Sequence, residues 1–240
     1  MMSLVVATRN AHKVREIRQV LGAKFQCIPL SDLPGAPPWI EDGDTLAANA
    51  TKKAVELARW LPAARLSTLS ARSSALLVLA DDSGLEVDAL HGAPGVHSAR
   101  FAALNGGAGG LAPASGANAA DADNNAKLLR LLKDVPWEKR TARFRCVLAL
   151  TPVSGEPTAG SSPVCYADEL ELQTELFEGV CEGRLGFTPR GQSGFGYDPL
   201  FIPLGYEQSF AELGEEIKNR ISHRALAVAK LLGWMEGLKR

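Results

Sequence analysis

The apolar run ALLVLA (75–80) ends on two adjacent aspartates, Asp81 and Asp82, and Ser83-Gly84 follow before the alternating stretch LEVDAL (85–90) begins. Two neighbouring carboxylates repel each other, and a simple turn needs only one Asp or Asn ahead of its Gly. A chain that buries 75–80 must therefore supply the doublet with a cation, a proton or a backbone partner. The pattern predicts one strand over 75–80 and a second over 85–90, with the acidic residues in the turn joining them. In open α/β sheets ligands collect beyond the carboxyl ends of strands, where that turn would lie. Successive side chains of an extended segment point to opposite sides, so one Asp can face a ligand while the other meets a backbone or buried donor. An Asx turn with a capping acid explains this stretch, taken alone, as well as a cation site does.

The opening SLVVATRNAHKVREIRQVL (3–21) changes period within a few residues. Leu4 to Ala7 read as a strand and Thr8-Arg9-Asn10 as a polar turn; Val14, Ile17, Val20 and Leu21 then recur at helical spacing. Asp44 is placed to cap the next helix, whose apolar face runs through Leu46, Ala50, Ala54, Leu57 and Leu61. A helix is predicted over 124–135, strands over 141–150 and 175–187, and a last helix capped by Ser222. In the 141–150 strand Phe144, Cys146, Leu148 and Leu150 share one face, and Arg143 and Arg145 the other. Strands and helices alternate early and strands cluster in the middle, which predicts an α/β protein with a mixed sheet.

Three stretches rich in Gly, Ala, Ser and Pro, at 62–74, 102–120 and 152–163, lack the residues to build a core and read as loop insertions within a single domain over 1–240. The net charge of −1 gives no whole-chain attraction to polymeric nucleic acid or to an anionic membrane, so phosphate binding has to come from a local cluster. Cys27, Cys146, Cys165 and Cys181 are scattered without metal-type spacing, and no run is long enough to span a membrane, so a reduced, cytoplasmic protein is expected.

Four stretches carry residues suited to chemistry. At 8–13 a helix start offers free N–H groups to a phosphate, with Thr8, Asn10 and Lys13 beside it, although an ordinary strand–helix connection has the same form. The 40–44 stretch IEDGD can add a carboxylate, Glu41 being the best placed. In GQSGFGYDPLF (191–201) glycines permit close backbone approach, and Phe195 and Tyr197 offer faces to a nucleobase or to the core. KNRISHRA (218–225) gathers Lys218, Arg220, His223 and Arg224 around a helix start, where cations oppose the dipole unless solvated or used.

TRNAHK (8–13), EDGDT (41–45), ADDSGLEVDALHGAPGVHSARF (80–101), NNAKLL (124–129), GFGYDPLF (194–201) and ISHRA (221–225) occur in this order along the chain. In these blocks the chain resembles the inosine triphosphate pyrophosphatase family, the non-canonical purine nucleoside triphosphate pyrophosphatases. The likeness covers nearly the whole chain outside the three insertions, which are longer than the family's usual connections. The resemblance implies an elongated, two-lobed α/β fold around a mixed sheet, with a nucleotide-binding cleft between the lobes, and a homodimer. It implies Mg²⁺-dependent hydrolysis of ITP, dITP and XTP to the monophosphate and pyrophosphate. Carried over by position, Thr8, Arg9, Asn10, Ala11, His12, Lys13, Ser83, Phe195, Gly196, Tyr197, Asp198, Lys218, His223 and Arg224 would bind the nucleotide. Asp82 would be the catalytic acid–base residue and a metal ligand, and Glu41 a second metal ligand. A carboxylate bound directly to Mg²⁺ is a poor base, so Asp82 would act either directly or through a metal-bound water. Two other readings stay open on the residues: a pyrophosphatase for other modified nucleotides, and a nucleotide sensor without turnover. The SHR block weighs against the first and the acidic doublet against the second.

Overall fold

A computed structural model of the chain describes residues 2–69, 76–104, 118–153, 171 and 173–237, without the side chains of 62–69. The described elements are β1 (Met2–Ala7), α1 (Ala11–Leu21), β2 (Phe25–Pro29), α2 (Leu46–Leu69), β3 (Leu76–Val87), α3 (Asp121–Leu131), β4 (Thr141–Pro152), β5 (Glu175–Leu185), β6 (Phe201–Pro203), α4 (Phe210–Ile221) and α5 (His223–Gly237). Six strands form a sheet in the order β2-β1-β3-β4-β5-β6. β1 runs parallel to β2 and β3, whereas β5 and β6 are antiparallel, so the expected mixed α/β sheet is present. Among the described residues no helix is long and apolar enough to cross a membrane.

The chain divides into two compact units. The first comprises Met1–Asp82, Val147–Phe177 and Leu231–Arg240. Its centre is β1, registered from Ser3 against Leu76 to Ala7 against Ala80 on one side and from Met2 against Phe25 to Val6 against Pro29 on the other. A parallel strand with a neighbour on each side is buried on both faces, which is why Leu4 to Ala7 read as an unbroken apolar run. Asn10 caps α1, its Oδ1 accepting from His12 N at 2.9 Å and Lys13 N at 3.2 Å. The cap of α2 is Thr45, whose Oγ1 accepts from Ala48 N at 3.1 Å, and not the expected Asp44 one residue earlier. The helix then continues through 62–69, the first part of a stretch read as an insertion. Residues 70–74, 105–117 and 154–163 of the three stretches lie outside the described residues, as does residue 75.

The second unit, Ser83–Cys146 and Glu178–Lys230, packs Leu85, Phe101, Leu128, Phe144, Phe201 and Phe210 into one core. β4 keeps the alternation seen in the sequence, with Phe144 and Cys146 inside and Arg143 and Arg145 on the other face. Arg143 reaches Asp88 and Glu182, and Arg145 reaches Glu86 and Glu178, so the outer face is laced by ion pairs. α4, not anticipated in the sequence, is interrupted at Gly214, where φ is +77°. That break hides its period.

The largest departure from expectation concerns the acidic doublet. Asp81, Asp82, Ser83 and Gly84 do not form a turn; β3 runs straight through them from Leu76 to Val87. The carboxylates need no turn because lysines reach them inside the sheet. Gly84 permits a close approach: a Cβ there would lie 2.3 Å from the Gly95 carbonyl oxygen.

Candidate active site

In the first unit the strand sends its two aspartates apart. Asp81 is ion-paired with Lys13 of α1, whereas Asp82 Oδ1 lies 2.8 Å from Lys53 Nζ of α2. Opposite directions for consecutive side chains are what an extended strand imposes, and they recruit two different helices. Lys53 also donates to Glu41 Oε1 at 3.1 Å and to the Asp81 carbonyl at 2.8 Å. Asn49, one turn before Lys53, places Nδ2 3.4 Å from Asp82 Oδ2, and its Oδ1 accepts from Gly43 N at 2.8 Å. Two ammonium groups, Lys13 and Lys53, thus sit among three carboxylates, Glu41, Asp81 and Asp82.

Burial governs the protonation of this cluster. It pushes the Asp82 carboxyl above its ordinary value, against the pull of Lys53 and then Lys13. Burial also opposes the charge on Lys53, but Asp82 and Glu41 outweigh it and hold that pKa up. Glu41 and Asp82 converge on one cation, and hard oxygen donors of this kind suit Mg²⁺. Among the described residues no trio of His, Cys, Asp or Glu is gathered for a metal. Mg²⁺ held chiefly by substrate phosphates and water needs only one or two carboxylates, so Glu41 and Asp82 fit that demand.

The other residues expected in this unit are spread around the start of α1. Thr8 Oγ1 accepts from Asn10 N, and the Asn10 side chain occupies the N–H groups of His12 and Lys13. Arg9 turns outward, donating to the Ala36 and Pro37 carbonyls beside the Trp39 ring. Ala11 is exposed. His12 is exposed too and meets Arg15 at 2.7 Å. Thr8, Arg9 and Ala11 line a cavity of about 610 Å³ together with Arg15, Arg18 and Ser31 among others, and Lys13 is not part of its lining.

In the second unit Phe195 forms the centre. Lys218 Nζ stands 4.6 Å and Arg224 Cζ 5.9 Å from its ring centroid. Lys218 is buried and ion-paired with Asp198, whose Oδ2 also accepts from Phe195 N at 2.8 Å. Arg224, 1% exposed, donates from Nη2 to Ser83 Oγ at 3.0 Å. Lys218 and Arg220 close α4, where cations suit the dipole, so only His223 and Arg224 stand at a helix start. His223 stacks on Phe144, with ring centroids 4.7 Å apart. Tyr197 is buried and donates to the Ser98 carbonyl at 2.8 Å; burial, then the Asp121 charge, raises its pKa and keeps it a donor. Gly196, at φ +62°, gives its N–H to Asp121 and accepts from Asn125.

A profile of the Ham1 family matches residues 4–234, nearly the whole chain. The chain belongs to the Ham1 family. A relative from Desulforamulus reducens named dITP/XTP pyrophosphatase is 42% identical over 232 residues, covering 96% of this chain and 94% of its own. One of the same name from Geobacter sulfurreducens is 42% identical over 238 residues and covers 98% of each. Among solved structures, a HAM1 protein from Coxiella burnetii superposes with a TM-score of 0.71 at 32% identity, covering 99% of this chain and 100% of its own. The Staphylococcus aureus Ham1 protein gives 0.69 at 31%, covering 98% of each.

Sequence reasoning passed over two residues of this Ham1 chain's cluster, Asn49 and Lys53, both almost fully buried. Their signal was present: counted from Leu46 they fall at i+3 and i+7, on the apolar face of α2. A lysine on a buried stripe requires a buried partner. Asp121 and Asn125 were likewise missed as partners of the glycine-rich loop, because their contact with Gly196 spans 75 and 71 residues of chain.

Proposed function

We propose that this chain is an Mg²⁺-dependent nucleoside triphosphate pyrophosphatase that hydrolyses the non-canonical purine nucleotides ITP, dITP and XTP to the monophosphate and pyrophosphate. The observation that carries the reading is Asp82, a buried carboxylate of raised pKa held by Lys53 beside Glu41. Relatives of similar length and about 40% identity carry the name dITP/XTP pyrophosphatase, which supports the same substrate class.

In this mechanism water attacks the α-phosphorus, the bond from that phosphorus to the α,β-bridging oxygen breaks, and pyrophosphate leaves. Asp82 accepts the proton of the attacking water. Its raised pKa favours this step, because a general base works best when its pKa approaches the operating pH. Lys13 and Lys53 balance negative charge that develops on the phosphates, and Asn49 orients Asp82 through Oδ2. Glu41, together with Asp82 through an intervening water, would hold Mg²⁺, which would supply further charge neutralisation on the phosphate oxygens while leaving Asp82 able to take a proton.

The base is read by the second unit. Phe195 offers a ring for stacking, and Lys218 and Arg224 bring donors to it. Hypoxanthine and xanthine carry a 6-keto acceptor, which suits donors; adenine carries a 6-amino donor, which would leave a guanidinium opposed. A homodimer in the cytoplasm accompanies this reading through the family resemblance.

The test is pyrophosphate release by the purified chain with Mg²⁺ on a panel of ITP, dITP, XTP, ATP, dTTP and a methylated pyrimidine triphosphate. Turnover of the 6-keto purines with formation of the monophosphate is expected. Preference for pyrimidines, or binding of ITP without pyrophosphate release, would overturn the assignment. Sedimentation velocity decides the dimer.

A further inference from the structure

The loop that carries Phe195 is rich in glycine. Gly194 and Gly196 flank the aromatic residue at φ +81° and +62°, a region glycine enters freely and loses much entropy to hold. Within the loop Asp198 Oδ2 holds Phe195 N at 2.8 Å, and the two peptides on either side of Gly196 take their side-chain partners from outside it. The start of α3, which includes the first residues of the block NNAKLL and to which the pyrophosphatase mechanism gives no task, provides further anchorage.

Asp121 and Asn125 lie one turn apart on α3 and so share a face. Asp121 Oδ2 accepts from Gly196 N at 2.6 Å, and Asn125 Nδ2 donates to Gly196 O at 2.9 Å. The first bond holds the peptide joining Phe195 to Gly196, and the second holds the peptide joining Gly196 to Tyr197. Together they fix the backbone on both sides of Gly196, and with it the direction from which Phe195 departs. Asp121 stands at the first position of α3, where the helix dipole favours its charge.

Neighbouring contacts close the arrangement. Asn124 accepts from Ala102 N at 2.7 Å and donates to the Ala99 carbonyl at 3.3 Å, tying α3 to the segment 95–103. Tyr197, next to Gly196, donates to Ser98 O in that same segment. Asn125 also leaves its Oδ1 buried without a hydrogen-bond partner among the described residues. An unmet buried acceptor costs stability, and an alanine there would avoid that cost. The carboxamide is thus explained by what its Nδ2 does to the loop, not by what it adds to the fold.

We infer that Asp121 and Asn125 are positioning residues for purine recognition, setting the Phe195 ring by gripping Gly196 from both sides. The inference rests on the reading of Phe195, Lys218 and Arg224 as the base-binding group. Neither residue is among the groups proposed to meet the reacting phosphates, so their loss should act on affinity for the base and not on the chemical step.

The experiment compares wild type with Asn125→Ala, Asp121→Ala and Asp121→Asn. Five quantities are measured: KM and kcat for ITP, inhibition by inorganic tripolyphosphate (which has no base), the thermal midpoint, and amide hydrogen exchange across 194–198. Asn125→Ala should raise KM for ITP on the order of tenfold, the scale of one lost hydrogen bond at a desolvated site, with kcat and tripolyphosphate inhibition within about twofold, as uniform binding changes predict. Exchange across 194–198 should rise without a fall in midpoint. Asp121→Ala should behave alike, and Asp121→Asn, which keeps an acceptor, should restore KM. An unchanged KM with unchanged exchange would overturn the inference. So would an equal loss in ITP and tripolyphosphate binding accompanied by a lowered midpoint, which marks a merely structural role. Wild-type protein that releases no pyrophosphate from ITP would defeat the functional reading instead, and the exchange measurement would still decide whether the grip orders the loop.

Discussion

Lys53 Nζ lies 2.8 Å from Asp82 Oδ1, and both side chains are almost fully buried. The pair joins the middle of β3 to the buried face of α2. Desolvation of two charges is offset only while both partners are present. The same contact therefore stabilises the first unit and prepares Asp82 for its proposed work.

Removing the cation should cost far more than neutralising the carboxylate. Lys53→Met would leave Asp82 buried without its nearest counter-charge, and a loss of about 3–5 kcal/mol in unfolding free energy is expected. Asp82→Asn keeps the shape and an acceptor for Lys53, so the fold should persist while turnover falls by roughly 10²-fold or more. Denaturant unfolding and pyrophosphate release separate the two effects. Near-normal turnover in Asp82→Asn would remove this residue from the chemistry.

The protonation of Asp82 can be followed directly. Burial raises its pKa, and Lys53 is the largest force pulling it back down. A carboxyl-selective NMR titration of the metal-free protein should place its midpoint above that of an ordinary aspartate. Lys53→Met should move it higher still. The sign for stability follows from linkage: with the folded value raised, Asp82 contributes stability below its unfolded pKa and loses it as pH rises through the folded one. Lys53, also raised, contributes below its unfolded pKa and loses that contribution in the alkaline range. A midpoint for Asp82 at or below the ordinary value would contradict the burial argument.

Gly84→Ala tests whether the strand must run straight through the acidic doublet. A Cβ at this position would meet the Gly95 carbonyl oxygen at 2.3 Å and its carbon at 2.9 Å, and backbone cannot swing aside as a flexible side chain can. Overpacking of this kind costs about 1–3 kcal/mol. Because Asp82 and Ser83 precede Gly84 in β3, kcat for ITP should fall together with the unfolding free energy. A variant as stable and active as wild type would show that the 95–103 segment gives way freely.

Much of the fold was legible because its signals are local. β4 alternates between a core of Phe144 and Cys146 and an outer row of Arg143 and Arg145. Ser222 caps α5 by accepting from Ala225 N at 3.2 Å. The acidic doublet was misplaced into a turn because its neutralising partners are remote: Lys13 is 68 residues from Asp81 and Lys53 is 29 from Asp82. A local reading sees two charges and a glycine and concludes that the strand stops. α4 escaped notice because Gly214 breaks its period, and with it went the placement of Lys218 at a helix end. Of the site, the residue types stood in the sequence; which of them meet is a matter of packing.

Under the proposed function Arg224 would bear on how adenine is refused. Its guanidinium is buried, donates to Ser83 Oγ and stands 5.9 Å from the Phe195 ring. A guanidinium has five donors and no acceptor, so it can serve a 6-keto oxygen and can only oppose a 6-amino group. Opposed donors in a desolvated site leave a buried group unpaired, at a cost of about 1–3 kcal/mol or more. Arg224→Ala should therefore lower kcat/KM for ITP by about 10-fold to 10²-fold and change that for ATP little, narrowing the ratio of the two. Arg224→Lys should not restore the ratio, because an ammonium keeps the charge but not the fork that Ser83 orients. Ser83→Ala should fall in between, since it frees the guanidinium without removing it. The three variants are assayed with ITP and ATP side by side. A loss by the same factor for both nucleotides would assign Arg224 to the phosphates.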